Sequence, residues 1–178
     1  MNQIKKAKEI LNRDGIVIFP TETTFAIGCR IDSTAAIARL YSIKQRPESQ
    51  PTSIVCASRA QVLNYCYLTP SEERLARTFW PGPLTICLKS KENIPSSILA
   101  ADGTIGVRIP GFPWLQELIK AVGVPLLSPS ANFRGEASPV KLTQIDKRLE
   151  DLVDYVVAIE PEGKDPSTIV KLENEKVS

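Results

Sequence analysis

Two cationic side chains stand two residues apart in Lys44-Gln45-Arg46-Pro47, at the end of a stretch with helical periodicity. Because a proline disfavours helical backbone at the residue before it, we expect the helix to end there and the chain to continue extended. Side chains two apart share one face of an extended chain, so Lys44 and Arg46 would converge on one anion, such as a phosphate. The alternative, which this segment alone favours, is that both cations complement the negative end of the helix dipole.

Small hydroxyl and amide side chains follow two apolar segments that have the composition of buried strands. The first set is Thr21-Glu22-Thr23-Thr24, and the second is Ser128-Pro129-Ser130-Ala131-Asn132, with Gly135 and Ser138 further along the same loop. Loops beyond strand ends are where open α/β sheets bind ligands, and small donors let an oxyanion approach closely. Each segment alone is also typical of an ordinary polar turn.

A third polar set comes from alternation along Thr104-Ile105-Gly106-Val107-Arg108. In a strand, Thr104, Gly106 and Arg108 share one face, opposite the apolar side chains. An arginine on that face would line a cleft. The alternative is that these residues form the solvent-exposed polar face of an edge strand.

The chain contains no histidine. This excludes an imidazole general base, a Ser-His-Asp or Cys-His nucleophile and a histidine-ligated zinc ion. It also contains no G-x-G-x-x-G or P-loop segment, so a nucleotide would have to be held in another way. The chemistry must therefore rely on hydroxyls, carboxylates, amides, backbone groups and fixed cations.

The composition is that of an ordinary globular protein, with 178 residues, 43% of them hydrophobic, and a net charge of +2. No apolar run approaches the ~20 residues that would span a bilayer. The four cysteines form no C-x-x-C pair; Cys56 and Cys87 in particular have apolar neighbours, which predicts buried, free thiols in a reducing compartment. We expect a soluble, cytoplasmic protein with no membrane association.

Hydrophobic periodicity predicts helices near residues 3–12, 33–44, 59–66, 70–79, 113–121 and 141–150. Short β-branched runs predict strands near residues 16–19, 25–31, 53–56, 84–88, 104–109, 125–127, 155–159 and 167–172. Helices and strands are interspersed without a strict βαβ rhythm. The fold class is therefore α/β (α+β), with a twisted mixed β-sheet flanked by helices, and we expect residues 1–178 to form a single domain without a further C-terminal domain.

Six segments occur in a fixed order: PTETTFAIGC, KQRP followed after three intervening residues by Pro51, WPGPLT, TIGVRIP, SPSAN and PSTIV. In this combination the chain resembles the YrdC/TsaC family of threonylcarbamoyl-AMP synthases, over nearly its whole length. The resemblance implies a YrdC-like fold with a concave basic cleft. It implies a nucleotidyltransferase that joins L-threonine, bicarbonate and ATP, with Mg²⁺, into threonylcarbamoyl-adenylate and diphosphate. That product would pass to threonylcarbamoyl-transferase proteins that modify adenosine 37 of transfer RNA.

The resemblance also implies roles for matching residues. The L-threonine site would comprise Thr23, Arg108, Ser128 and Ser167. The ATP site would comprise Lys44, Arg46, Gln50, Thr104, Ser130, Asn132 and Ser138. The catalytic residues would be Lys44 and Arg46, which with Mg²⁺ would neutralise charge on the phosphates. We expect Arg46→Ala to abolish diphosphate release without disturbing the fold.

The chain departs from the family pattern at Phe25-Ala26, where Tyr-Gly is usual, at Thr52, where leucine is usual, and at Lys171, where aspartate is usual. Family members usually continue beyond the position of Ser178 into an apolar strand and an Arg-x-Gly segment that is expected to help bind ATP. Two alternative functions remain: a non-catalytic protein that binds transfer RNA or double-stranded RNA, and a paralogue with other carbamoyl-adenylate chemistry.

Overall fold

The structure of the protein, a computed structural model, describes residues 3–45, 47, 51–163, 165–173 and 176–177. The α-helices are α1 (Gln3–Leu11), α2 (Thr34–Ile43), α3 (Arg59–Tyr65), α4 (Pro70–Phe79), α5 (Pro113–Val122) and α6 (Lys147–Glu150). The strands are β1 (Val17–Pro20), β2 (Phe25–Gly28), β3 (Ser53–Val55), β4 (Leu84–Lys89), β5 (Thr104–Arg108), β6 (Leu126–Leu127), β7 (Tyr155–Val156), β8 (Thr168–Val170), β9 (Leu172–Glu173) and β10 (Lys176–Val177). No helix within these ranges is long and apolar enough to cross a membrane.

The described strands form two larger sheets and the β9–β10 pair. The first sheet has the order β2-β1-β7, and the second has the order β6-β3-β5-β4-β8. Both contain parallel and antiparallel neighbours: β1 is antiparallel to β2 and parallel to β7, while β5 is parallel to β3 and antiparallel to β4. The prediction of a mixed sheet flanked by helices is confirmed, and the structure divides it into two sheets.

The two sheets are joined along β2. The Leu127 amide donates to Cys29 O and the Ile27 amide donates to Pro129 O, both at 2.9 Å. An isolated bridge pairs Ala26 with Ser130. The chain that leaves β6 therefore runs beside β2, and this brings the loop after β1 close to the Ser128–Asn132 loop.

Strand β1 is buried on both faces. Ile18, together with Ile16 just before the strand, belongs to one apolar cluster, which extends under the five-stranded sheet. Val17 and Phe19 belong to a second cluster, into which α1 and α5 pack. A strand covered on both faces needs a continuous apolar run rather than alternation, and this is the pattern in the sequence.

Local signals account for most helix boundaries. Ser33, in the predicted cap of α2, accepts a hydrogen bond from the Ala36 amide at 3.2 Å. The single helix predicted near 141–150 is wrong. Leu142–Gln144 forms a 3-10 turn, and Asp146 then takes an extended conformation and caps the short helix α6. An aspartate that bonds to backbone amides competes with helix continuation, which explains the break.

Phe25 and Ala26, which replace the Tyr-Gly of the resemblance, both fit the core. Phe25 is fully buried, so the ring without a hydroxyl suits its surroundings. Among the described residues other than glycine, only Asp14 and Gln45 have a positive φ. The backbone at residue 26 therefore has no need of a glycine.

Candidate active site

A cleft of about 360 Å³ lies where the loop after β1, strands β4 and β5, the loop after β6 and the segment around β8 meet. Seven of the residues predicted to bind ligands line it, from four separate stretches of the chain: Thr23, Thr104, Arg108, Ser128, Ser130, Ser138 and Ser167. The structure thus brings together the greater part of both predicted subsites. The role of each residue stays a prediction.

The loop after β1 is organised by the hydroxyl of Thr21. Its Oγ1 donates to Thr24 O at 2.8 Å and accepts from the amides of Thr23 at 3.0 Å and Thr24 at 3.2 Å. It also lies 2.8 Å from Thr23 Oγ1. This hydroxyl-centred turn fixes the loop at the strand end, so that Thr23 lines the cleft.

Arg108 lies at the end of β5 and is 6% exposed. Its Nη1 donates to Thr23 Oγ1 at 3.1 Å and lies 3.5 Å from Glu22 Oε1. Burial lowers the pKa of the Arg108 guanidinium, and the nearby Glu22 carboxylate partly offsets this effect. Because a guanidinium carries five N–H donors, Arg108 has donors beyond the one bound to Thr23 with which to meet a carboxylate in the cleft.

The predicted face of β5 is confirmed. Thr104, Gly106 and Arg108 line the cleft, and Val107 is fully buried in the apolar cluster on the other side. A Cβ at Gly106 would lie 3.0 Å from Thr85 Cγ2 and 3.3 Å from Ser53 Cβ. A larger residue would have to displace its neighbours, so the glycine keeps the floor of the cleft open.

The loop after β6 is held in place by Lys44. The Lys44 ammonium donates to Ser130 O at 2.7 Å, to Asn132 O and to Asn132 Oδ1 at 3.2 Å. Ser130 Oγ in turn donates to Asn132 Oδ1 at 2.6 Å. Lys44 is 7% exposed, and it borders a smaller cavity with Asn132, beside the cleft rather than within it. In this arrangement Lys44 supports the loop that carries Ser130.

The extended backbone expected directly after α2 is not adopted at Gln45. Helix α2 ends at Ile43, and Gln45 has a φ of 49°, in the left-handed region. The chain therefore leaves the helix through a tight turn rather than as an extended strand. Arg46 and Gln50 lie outside the described residues.

Sequence reasoning missed several cleft residues. The set comprises Thr52, Ser53, Thr85 and Cys87. The Thr85 and Ser167 hydroxyls lie 3.1 Å apart. Cys87 was predicted to be buried from its apolar neighbours, but it is only half-buried because alternation turns residues 85 and 87 toward the cleft. The same alternation, applied to β4, could have identified both.

The cleft combines one buried cation with many hydroxyls. Arg108 is the single charged side chain among the described residues that line it. Such a site suits a polar ligand that carries a carboxylate and several hydrogen-bonding groups. Within the described part of the chain, no group of three or more aspartate, glutamate or cysteine side chains is placed to hold a metal ion. The predicted basic character of the cleft also depends on Arg46, so it stays a prediction.

A family model for Sua5, YciO and YrdC, described as "Telomere recombination", matches residues 9–178. A Methanocaldococcus jannaschii protein provisionally named threonylcarbamoyl-AMP synthase is 39% identical over 174 residues, covering 96% of this chain and 80% of that protein. The structure of Pyrococcus abyssi Sua5 complexed with L-threonine has a TM-score of 0.88 and 31% identity. It matches 95% of this chain, which spans only 50% of that one. Escherichia coli YciO has a TM-score of 0.89 and 29% identity, covering 98% of this chain and 86% of its own.

Proposed function

Because the chain belongs to the Sua5/YciO/YrdC family, we propose that it is a threonylcarbamoyl-AMP synthase. The reaction would join L-threonine, bicarbonate and ATP into threonylcarbamoyl-adenylate and diphosphate in the cytoplasm. The adenylate would then pass to transferase proteins that modify adenosine 37 of transfer RNA. The Pyrococcus abyssi relative, which was solved with L-threonine, supports the choice of amino acid.

The observation that carries the proposal is the position of Arg108 among hydroxyls. Its guanidinium is removed from water and already bonded to Thr23, so a carboxylate in the cleft would meet an oriented partner with a weakened water shell. Ser128 and Ser167 line the same cleft and would bind the hydroxyl and amine of threonine. A site of this kind discriminates strongly against analogues that lack a hydrogen-bonding group.

The nucleotide would lie beside the amino acid, along Thr104, Ser130 and Ser138. Asn132 shapes this side through its bonds to Lys44 and Ser130. We assign Arg46 and Gln50 to ATP binding from the resemblance, with Lys44 and Arg46 closest to the phosphates. Mg²⁺ would enter with ATP and reduce the charge on the phosphates, since this ion keeps several water ligands and binds largely through phosphate oxygens.

The chemistry needs little from a protein nucleophile. The neutral amine of threonine adds to bicarbonate to form a carbamate, with loss of water. A carbamate oxygen then attacks the α-phosphorus of ATP, and the bond to the bridging oxygen breaks to release diphosphate. Such a displacement depends on positioning and charge stabilisation, and a cleft of fixed hydroxyls and one buried cation provides both.

The test is incubation of the protein with labelled ATP, bicarbonate and Mg²⁺, with and without L-threonine. We expect diphosphate and the adenylate only when threonine is present. Diphosphate release that is the same with and without L-threonine would instead indicate other carbamoyl-adenylate chemistry. Salt-sensitive binding of transfer RNA or double-stranded RNA without turnover would indicate a non-catalytic RNA-binding protein.

A further inference from the structure

The segment around β8 forms one wall of the cleft. Pro166, Ser167 and Ile169 line the cavity. The segment starts tightly packed, because a Cβ at Gly163 would lie 2.5 Å from the backbone oxygen of Glu22. Strand β8 itself has three residues and pairs with β4 alone in the described sheet. A short strand paired on one side only has few contacts that oppose local opening.

An ion pair anchors the far end of this wall. Lys171 Nζ lies 2.7 Å from Asp102 Oδ2, directly after β8. The other oxygen of the same carboxylate, Oδ1, accepts from the Thr104 amide at 3.0 Å and from the Thr104 hydroxyl at 2.7 Å. One carboxylate therefore contacts the first residue of β5 and the residue that follows β8. We call the Asp102–Lys171 pair the clasp.

This arrangement fixes the hydrogen-bonding role of the Thr104 hydroxyl toward a ligand. Because its proton is donated to Asp102, the lone pairs of Thr104 Oγ1 remain to accept from a ligand. Thr104 would thus meet a ligand donor, such as a ribose hydroxyl or an amino group. On the other side of the clasp, Ser167 directly precedes Thr168, the first paired residue of β8, and depends on that strand for its position.

We propose that Asp102 and Lys171 are positioning residues: the clasp holds Ser167 and Thr104 in place on two walls of the cleft. The carboxylate links the two walls through bonds of 2.7 Å to each side. The kinetic part of this inference rests on the proposed function. The structural part does not, because it concerns how firmly β8 stays paired with β4 in the free protein.

The variants separate the two halves of the clasp. Lys171→Met removes the charge but keeps the length of the side chain, and Lys171→Arg keeps the charge. Asp102→Asn weakens the ion pair but keeps an oxygen that accepts from Thr104, whereas Asp102→Ala removes both contacts. Lys147→Met is the matched control, since Lys147 forms an exposed ion pair with Glu150.

Amide hydrogen exchange at Thr168–Val170, measured in the free protein, tests whether the clasp keeps β8 paired with β4. We expect Lys171→Met and Asp102→Asn to speed exchange about two- to fivefold, the range that an exposed ion pair supports. Lys171→Arg and Lys147→Met should exchange like the wild type. Unchanged exchange in Lys171→Met would overturn the clasp.

Steady-state kinetics test the positioning. We expect Lys171→Met to raise the KM for L-threonine two- to fivefold with little change in kcat, and Asp102→Ala to raise the KM for ATP as well. Wild-type values in both variants would overturn the positioning role. A wild-type protein without synthase activity would refute the proposed function, and the exchange experiment would still decide the clasp.

Discussion

Arg108 donates to Thr23 from a position that is 6% exposed, with Glu22 as its nearby counter-ion. Lysine would keep the charge at this place but lose the planar fork. We expect Arg108→Lys to reduce threonine-dependent diphosphate release about 10- to 100-fold, since a hydrogen bond to a charged group contributes ~1.5–3 kcal/mol. Arg59→Lys is the control, because Arg59 forms an exposed pair with Glu73. Equal loss in both variants would contradict the assignment.

Two threonines of the cleft allow a matched comparison of hydroxyl groups. Thr52 is 6% exposed, and its Oγ1 is buried without a hydrogen-bond partner, whereas Thr21 Oγ1 bonds to Thr24 O and to two amides. Valine has nearly the same shape and no hydroxyl. We expect Thr52→Val to raise the free energy of unfolding by up to ~1 kcal/mol and Thr21→Val to lower it by ~1–3 kcal/mol. Urea denaturation measures both, and the same sign in both variants would contradict the hydrogen-bond assignments.

At the scale of residues, the sequence predicts what local geometry decides. Alternation along β5 identified Arg108 correctly because one strand determines which side chains share a face. The partners of Lys44 could not be found in this way, since Ser130 lies 86 residues further along the chain. The contact between Thr85 and Ser167 likewise depends on the pairing of β4 with β8. Such contacts follow from strand order, which short-range patterns do not contain.

At the scale of elements, most helices and strands follow from periodicity, and the exception has a local cause. Residues 142–150 contain apolar positions with helical spacing, but Asp146 accepts from the Arg148 amide at 2.8 Å and starts a new helix. The sequence contained this signal, because aspartate is a preferred N-cap. The periodicity of the longer window concealed it.

The end of α2 and the loop after β6 form one unit through Lys44. Its ammonium satisfies Ser130 O and two oxygens of Asn132. We expect Lys44→Met to leave buried acceptors without a donor and to lower the free energy of unfolding by ~1–3 kcal/mol. Hydrogen exchange of the amides at 130–132 should rise with it. A loss of activity without any change in stability or exchange would indicate instead that Lys44 acts mainly on the phosphates.

At the scale of the whole molecule, the cleft exists because two sheets meet along β2. The bridge between Ala26 and Ser130 and the bond from Ile27 to Pro129 O place two loops side by side, although about 100 residues separate them in the chain. The order of predicted helices and strands indicated an α/β fold, but it could not predict this junction. The family resemblance supplied the order of the motifs, and the structure supplies their contacts.

The reactivity of the four cysteine thiols provides a probe of whether the core is folded. Cys29, Cys56 and Cys66 are buried, and burial is the main cause that raises the pKa of each thiol, to about 12 for Cys29 and for Cys66. Cys87 is half-buried in the cleft; burial raises its pKa, and the positive charge of Lys171 opposes that rise. The reactive species is the thiolate, so a raised pKa slows alkylation at neutral pH.

We therefore expect iodoacetamide at pH 7.5 to modify Cys87 first in the native protein, and the other three cysteines only as the core unfolds. The rate at Cys87 should increase with pH, because its thiolate fraction grows as the pH approaches the raised pKa. Peptide mass spectrometry assigns each modification, and Cys87→Ser should remove the early one. Labelling of Cys56 as fast as that of Cys87 would contradict the burial of Cys56 in the apolar cluster directly after β3.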